Sequence, residues 1–161
     1  MVSAGVSPRS EAYRTFFQRL IDELRENHRF TGARIGQPQS WYAFASGYSG
    51  IAYGLSFAQN GRVRADVYID KGEAPENKEL FDRLSREKRE IETEFGTPLE
   101  WERLDDRRAC RVAIYRPGKI DEPGTLDEIL RWGVQQLMAL KKVFGPRLAA
   151  AGQRQSIETP S

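Results

Sequence analysis

IAYGLSFAQNGRVRADVYID, residues 51–70, is the stretch on which the fold turns. Two runs rich in β-branched and aromatic residues flank Asn60-Gly61, a pair favoured in two-residue hairpin turns because both positions accept positive φ. Side chains alternate between the faces of a strand. Val63, Ala65, Val67 and Ile69 therefore share one side of the second run, and Arg62, Arg64, Asp66 and Tyr68 the other. In the first run Ile51, Tyr53, Leu55 and Phe57 oppose Ala52, Gly54, Ser56 and Ala58. One side of the hairpin is bulky and apolar; the other is a low floor edged with basic and aromatic groups.

The low side poses a question, because glycine weakens a strand by backbone entropy and by its missing side chain. The reading preferred from sequence is a close approach by another element of this chain. The second reading is a contact surface for an extended peptide, a stacked base or a helix of another subunit.

Working toward the N-terminus, Trp41–Ala45 reads as a third strand. Tyr13, Phe16, Phe17, Leu20, Ile21 and Leu24 recur at helical spacing, with Ser7-Pro8 suited to the cap and first turn. Toward the C-terminus, one helix is expected after Pro75 along Leu80, Phe81, Leu84, Ile91 and Phe95. Gly96 suits its cap, and Arg83 with Glu87 and Arg86 with Glu90 are expected as ion pairs on its solvated side. PLEWERL and RRACRVAIYRPG read as two strands joined by an Asp105-Asp106 turn. In the second, Cys110, Val112 and Ile114 face the core, and Ala109, Arg111, Ala113 and Tyr115 face outward. Thr125 and Glu128 propose a capping box for a last helix that Gly145-Pro146 is expected to stop. The fold class is thus α+β: an antiparallel sheet of about five strands with three main helices, two-layered, in the order αβββαββα. The expected boundaries are a flexible N-terminus at 1–8, one domain over 9–148 and a disordered tail over 149–161.

The 161 residues carry 25 basic and 23 acidic side chains, a net charge of +2, with 39% hydrophobic and 30% charged. Such a balance gives no general electrostatic case for nucleic acid, so any such case must come from local clustering. The single cysteine, Cys110, excludes an internal disulfide and fits a reducing compartment. The apolar runs fall short of the roughly 20 residues a membrane helix requires, and MVSAGVSPRS lacks a secretory core, so a cytoplasmic protein is expected.

Chemistry is thinly represented. The one histidine, His28, lies in a polar loop, and Cys110 falls on a core-facing position, so neither proposes a nucleophile–base pair. One cysteine and one histidine cannot supply the usual zinc sets. Asp66, Asp70 and Glu102 would serve a divalent-metal phosphodiesterase, but Glu100-Trp101-Glu102 lacks the lysine two positions after its acid, and Arg103 is one position too far. No catalytic residue, metal or cofactor is expected. Arginines are more suggestive: Arg103, Arg107, Arg108, Arg111 and Arg116 fall in one strand pair and Arg62 and Arg64 in the hairpin, interleaved with Asp66, Glu100, Glu102, Asp105 and Asp106. Arg62, Arg64, Tyr68, Arg111 and Tyr115 are the candidate binding residues, sharing a water-facing side of the sheet.

SWYAFASGYSGIAYGLSF, PLEWERLDDRRACRVAIYR and LKKVFGPRL together resemble a prokaryotic family catalogued as domain of unknown function 4268, over about Glu11 to Leu148. Members occur alone or behind nuclease-like domains, so the resemblance implies an accessory or recognition role beside nucleic-acid processing or defence. It carries over no catalytic residue. The expectation is a non-enzymatic binding or regulatory module whose partner is a protein or nucleic acid and not a membrane. The alternatives are a self-associating scaffold, suggested by the small-residue face and by Trp132 and Met138, and the phosphodiesterase.

Overall fold

The computed structural model describes residues 7–158, with side chains through residue 151. Helix α1 (Pro8–Glu26) starts where the Ser7 hydroxyl accepts the Ser10 N–H, and it buries all six apolar positions of its stripe. Strands β1 (Trp41–Ala45), β2 (Ile51–Ala58) and β3 (Arg62–Ile69) follow, the last two turning through Asn60 and Gly61, both at φ +64°. Both residues are left-handed, but the register pairs Ala58 with Arg62, so the connection holds three residues, Gln59, Asn60 and Gly61, one more than a two-residue Asn60-Gly61 turn.

The single helix expected after Pro75 is two, α2 (Ala74–Ser85) and α3 (Lys88–Phe95). The break falls at Glu87, whose φ of −103° and ψ of +18° leave α geometry. It brings Glu87 and Glu94 to Arg147, at 3.2 and 2.8 Å. Arg83 consequently pairs with Glu79, at 3.7 Å, and not with Glu87. Gly96 ends α3 at φ +97°, as expected. Strands β4 (Glu100–Glu102) and β5 (Cys110–Pro117) complete a five-stranded antiparallel sheet in the order β1-β2-β3-β5-β4.

The last helix also departs from expectation at both ends. Thr125 closes a 3-10 turn and donates its hydroxyl to the Glu122 carbonyl at 2.7 Å, in place of the box with Glu128. From there α4 (Leu126–Glu158) runs straight through Gly145-Pro146. An interior proline removes one helical hydrogen bond and is unfavourable by about 3 kcal/mol. Burial of Leu148 and Ala151, with the Arg147 contacts to α3, holds the next turn helical. Residues 1–6 and 159–161 lie outside the described residues, and with them most of the N-terminal segment and the end of the tail that were expected to be flexible.

All the helical packing is on one side. α4 lies across β2 and β3, α1 and α3 pack on α4, and α2 covers β5. Tyr53, Leu55, Val63, Ala65, Val67, Ile69, Cys110 and Val112 point into that layer and are fully buried. Burial also pushes the Cys110 thiol up. Trp132 and Met138 are half-buried against the same core. Among the described residues no helix is long and apolar enough to cross a membrane.

The entry to β5 is set by two polar side chains of α2. Lys78 Nζ donates to the carbonyls of Arg103, Leu104 and Ala109 at 2.5–2.9 Å, closing the loop that was expected to be a short turn. Asn77, fully buried, accepts the Lys71 N–H at 2.7 Å and donates to the Arg108 carbonyl at 3.1 Å. Truncating a buried group that satisfies backbone on two sides leaves both orphaned, a loss of about 2–4 kcal/mol. Asn77→Ala should lower the unfolding free energy by that amount, seen as a lower urea midpoint with an unchanged slope; a variant within about 0.5 kcal/mol of wild type would show that the amide does not hold the strand entry.

Candidate functional site on the open face of the sheet

The strand register arranges the uncovered face in ranks. Trp41, Ser56, Arg64 and Tyr115 form the first; Ala43, Gly54, Asp66, Ala113 and Glu100 the second; Ala45, Ala52, Tyr68, Arg111 and Glu102 the third. Arg62 lies one rank beyond the first, beside Ala58 and Pro117. The five sequence-predicted residues, Arg62, Arg64, Tyr68, Arg111 and Tyr115, therefore do share one water-facing side, and no helix packs over it.

Their charges, however, are largely neutralised by neighbours. Arg111 Nε donates to Glu102 at 2.6 Å, and the Tyr115 hydroxyl donates to the other oxygen of that carboxylate at 2.7 Å. Because Tyr115 and Glu102 stand two ranks apart, the Tyr115 ring spans the intervening Ala113, which accounts for the full burial of that alanine on an otherwise open face. The Arg62 guanidinium stacks 4.0 Å above the Tyr115 ring. Burial and the Glu102 hydrogen bond both raise the Tyr115 hydroxyl above its ordinary value. The remaining arginines of the expected patch are elsewhere. Arg103 pairs with Asp82 and Asp105, Arg108 with Asp70, and Arg116 lies 3.9 Å from Glu128.

Asp66 occupies the centre. It is only 4% exposed although no helix covers it, because the second rank is low and the taller ranks on either side lean over it. Its carboxylate lies against Gly54, where a Cβ would stand 2.6 Å from Oδ1. The close approach foreseen at this glycine is thus made by a side chain of the adjacent strand and not by a helix. Burial pushes the Asp66 carboxyl up to about 6, against the opposing pull of Arg64 and Arg111. Arg64 Nε lies 3.3 Å from Asp66 Oδ2, yet it is buried and its N–H meets no hydrogen-bond acceptor.

Beside this pair is a recess of about 310 Å³, floored by Ala43, Gly54 and Ser56 and bordered by Trp41 and Tyr68. Trp41 and Tyr68 are 50% and 39% exposed, two of the three large hydrophobic side chains left in solvent among the described residues. Trp41 escaped the sequence reading because the faces of WYAFA were not separated; Tyr42 and Phe44 turn inward, which sends Trp41, Ala43 and Ala45 outward. The acids proposed for a metal do not converge. Asp70 is engaged by Arg108, Asn77 and the Gly72 N–H, and no group of three His, Cys, Asp or Glu among the described residues is placed to hold an ion.

Two outcomes follow from the Asp66–Gly54 contact. Gly54→Ala should destabilise the fold by about 1–2 kcal/mol, and by clearly less in an Asp66→Ala background, since the same oxygen causes the conflict; additive losses would show that the glycine serves something else. Between about pH 4 and 6 the folded chain keeps the Asp66 proton that the unfolded chain has lost, so raising pH through that window disfavours folding. Wild type should lose on the order of 2 kcal/mol relative to Asp66→Asn between pH 4 and 7. The difference isolates Asp66 from carboxylates with the opposite trend, such as Asp70, which Arg108 holds below the usual range. A flat difference would place Asp66 in ordinary solvent.

No curated protein and no solved structure matches the chain. A family model described as a domain of unknown function (DUF4268) matches residues 12–148, a span that takes in all five strands, the open face and the helical layer to Leu148. The chain belongs to the DUF4268 family.

Proposed function

We propose that this chain is a non-enzymatic binding module that works through the open face of its sheet, as an accessory or regulatory partner in nucleic-acid processing. The observation that carries the reading is the recess beside Asp66. Two large aromatic side chains stand in water at the rim of a small-residue floor, where leaving them exposed has no folding advantage and where a partner would gain their apolar area. The arginines and tyrosines that share the face support the nucleic-acid side of the reading.

A second reading, self-association, has one observation in its favour. Ala43, Ala45 and Ala52 make a shallow, uncharged strip along β1 and β2 that another sheet or helix could approach closely. Trp132 and Met138 no longer support it, since both pack against the core.

Ala43→Glu separates these readings, because Ala43 is exposed and lies on an edge strand, where a charge is tolerated. Wild type and variant should be purified from the native host, with the proteins and nucleic acids of each eluate identified and the mass in solution measured by light scattering. The reading expects a partner held by wild type and lost from the variant, with both chains monomeric. Identical eluates would overturn it, and a wild-type dimer that the variant dissolves would favour self-association.

A further inference from the structure

Resting on the reading of the open face as a binding surface, we infer that the recess above Gly54 takes one unpaired nucleobase of a single-stranded nucleic acid, stacked by Trp41 and Tyr68 and read along its polar edge by Arg64 and Asp66. Size is the first argument. The recess, about 310 Å³, lies at the lower bound of roughly 300–1,000 Å³ for small-molecule sites, enough for one planar ring system and little more. Its floor of Ala43, Gly54 and Ser56 carries only small side chains, and Trp41 and Tyr68 at its borders are aromatic. Stacking on such rims suits a heterocycle, because every base presents a π-face.

Charge supplies the second argument. Arg64 and Asp66 place a donor and an acceptor side by side at the recess, and the Nε–H of Arg64 is buried with no acceptor. A cationic ligand would meet Arg64 and an anionic one would meet Asp66. A neutral ligand carrying both a donor and an acceptor on one edge satisfies both, and each nucleobase has such an edge. The ordering of unmet polar capacity beside exposed aromatics is what distinguishes this recess from a plain strip of small residues.

A strand is a better source than a free base, because the recess opens onto a continuous sheet face along which neighbouring nucleotides can leave. Arg62, exposed one rank beyond Arg64, stands on that exit. Yet Arg62, Arg64 and Arg111 are balanced on the same face by Asp66, Glu100 and Glu102. Stacking must therefore dominate, and the salt dependence of binding must be shallow, with a slope near that of one phosphate contact, about −0.7 for single strands.

The test uses the full chain and fluorescein-labelled eight-nucleotide oligomers, in base-bearing and fully abasic forms, followed by fluorescence anisotropy at 50 and 200 mM salt. Wild type should bind the base-bearing single strand and lose at least roughly fivefold in affinity on the abasic strand. Trp41→Ala and Tyr68→Ala should each weaken base-bearing binding by a similar factor while keeping the far-UV spectrum of a folded chain and a cooperative melt well above the assay temperature, since the two residues are 50% and 39% exposed. Arg64→Gln should narrow the differences among homopolymers of the four bases. Equal affinity for abasic and base-bearing strands, with both aromatic variants at wild-type affinity, would overturn the base site. Absence of binding to any single strand by wild type would overturn it as well. In either case, a partner captured by wild type and lost from Ala43→Glu would leave the broader binding-module reading standing.

Discussion

Two-residue alternation along five hydrogen-bonded strands is the constraint from which the rest of this molecule follows. Once Tyr53, Leu55, Val67 and Val112 turn to the helices, Gly54, Arg64, Asp66, Tyr68 and Arg111 have no choice of side. A slip of one residue would carry Asp66 and two arginines into the core and expose the valines, an exchange unfavourable by far more than a domain's few kcal/mol of net stability. The three-residue turn of Gln59, Asn60 and Gly61 sets that register between β2 and β3, and the Asn77 and Lys78 contacts set where β5 begins. Edge positions then inherit their orientation from the centre.

The same constraint explains how a carboxylate becomes buried on an uncovered face. Desolvating an ionised group is unfavourable unless a paired charge and hydrogen bonds offset it. Arg64 and Arg111 oppose the desolvation of Asp66, but desolvation wins, and the carboxyl stays well above its ordinary range. Glu102 fares differently. Clamped by Arg111 and Tyr115, it completes a network in which each group has a partner. The open face thus divides into a saturated half on β4 and β5 and a corner where Arg64 and Asp66 pair at 3.3 Å but the Arg64 Nε–H lacks an acceptor, next to the exposed aromatics of the recess. A satisfied network gains little from a further polar contact, whereas an unmet donor gains a full hydrogen bond.

In the helical layer, tertiary contacts override local signals. Arg147 on α4 reaches Glu87 and Glu94 on α3 and also the Val143 carbonyl. Those contacts accompany the break of the α2–α3 helix at Glu87 and, with the burial of Leu148 and Ala151, the continuation of α4 past Pro146. Neither feature is visible in propensities, which describe a helix in isolation.

Read alone, the sequence determined the α+β class, the order of elements apart from the α2–α3 break, the presence of the hairpin, the inward side of every central strand and the common face of Arg62, Arg64, Tyr68, Arg111 and Tyr115. These follow from period-two and period-3.6 patterns and turn chemistry, which act over a few neighbouring residues. It could not decide which charges on that face remain available, where a helix would bend or continue, or that Gly54 makes room for Asp66. It was also silent on Trp41 as a wall of the recess. Those features depend on partners separated widely along the chain, as Glu102 is from Tyr115, Glu87 from Arg147 and Gly54 from Asp66, and only tertiary packing brings such pairs within reach of one another.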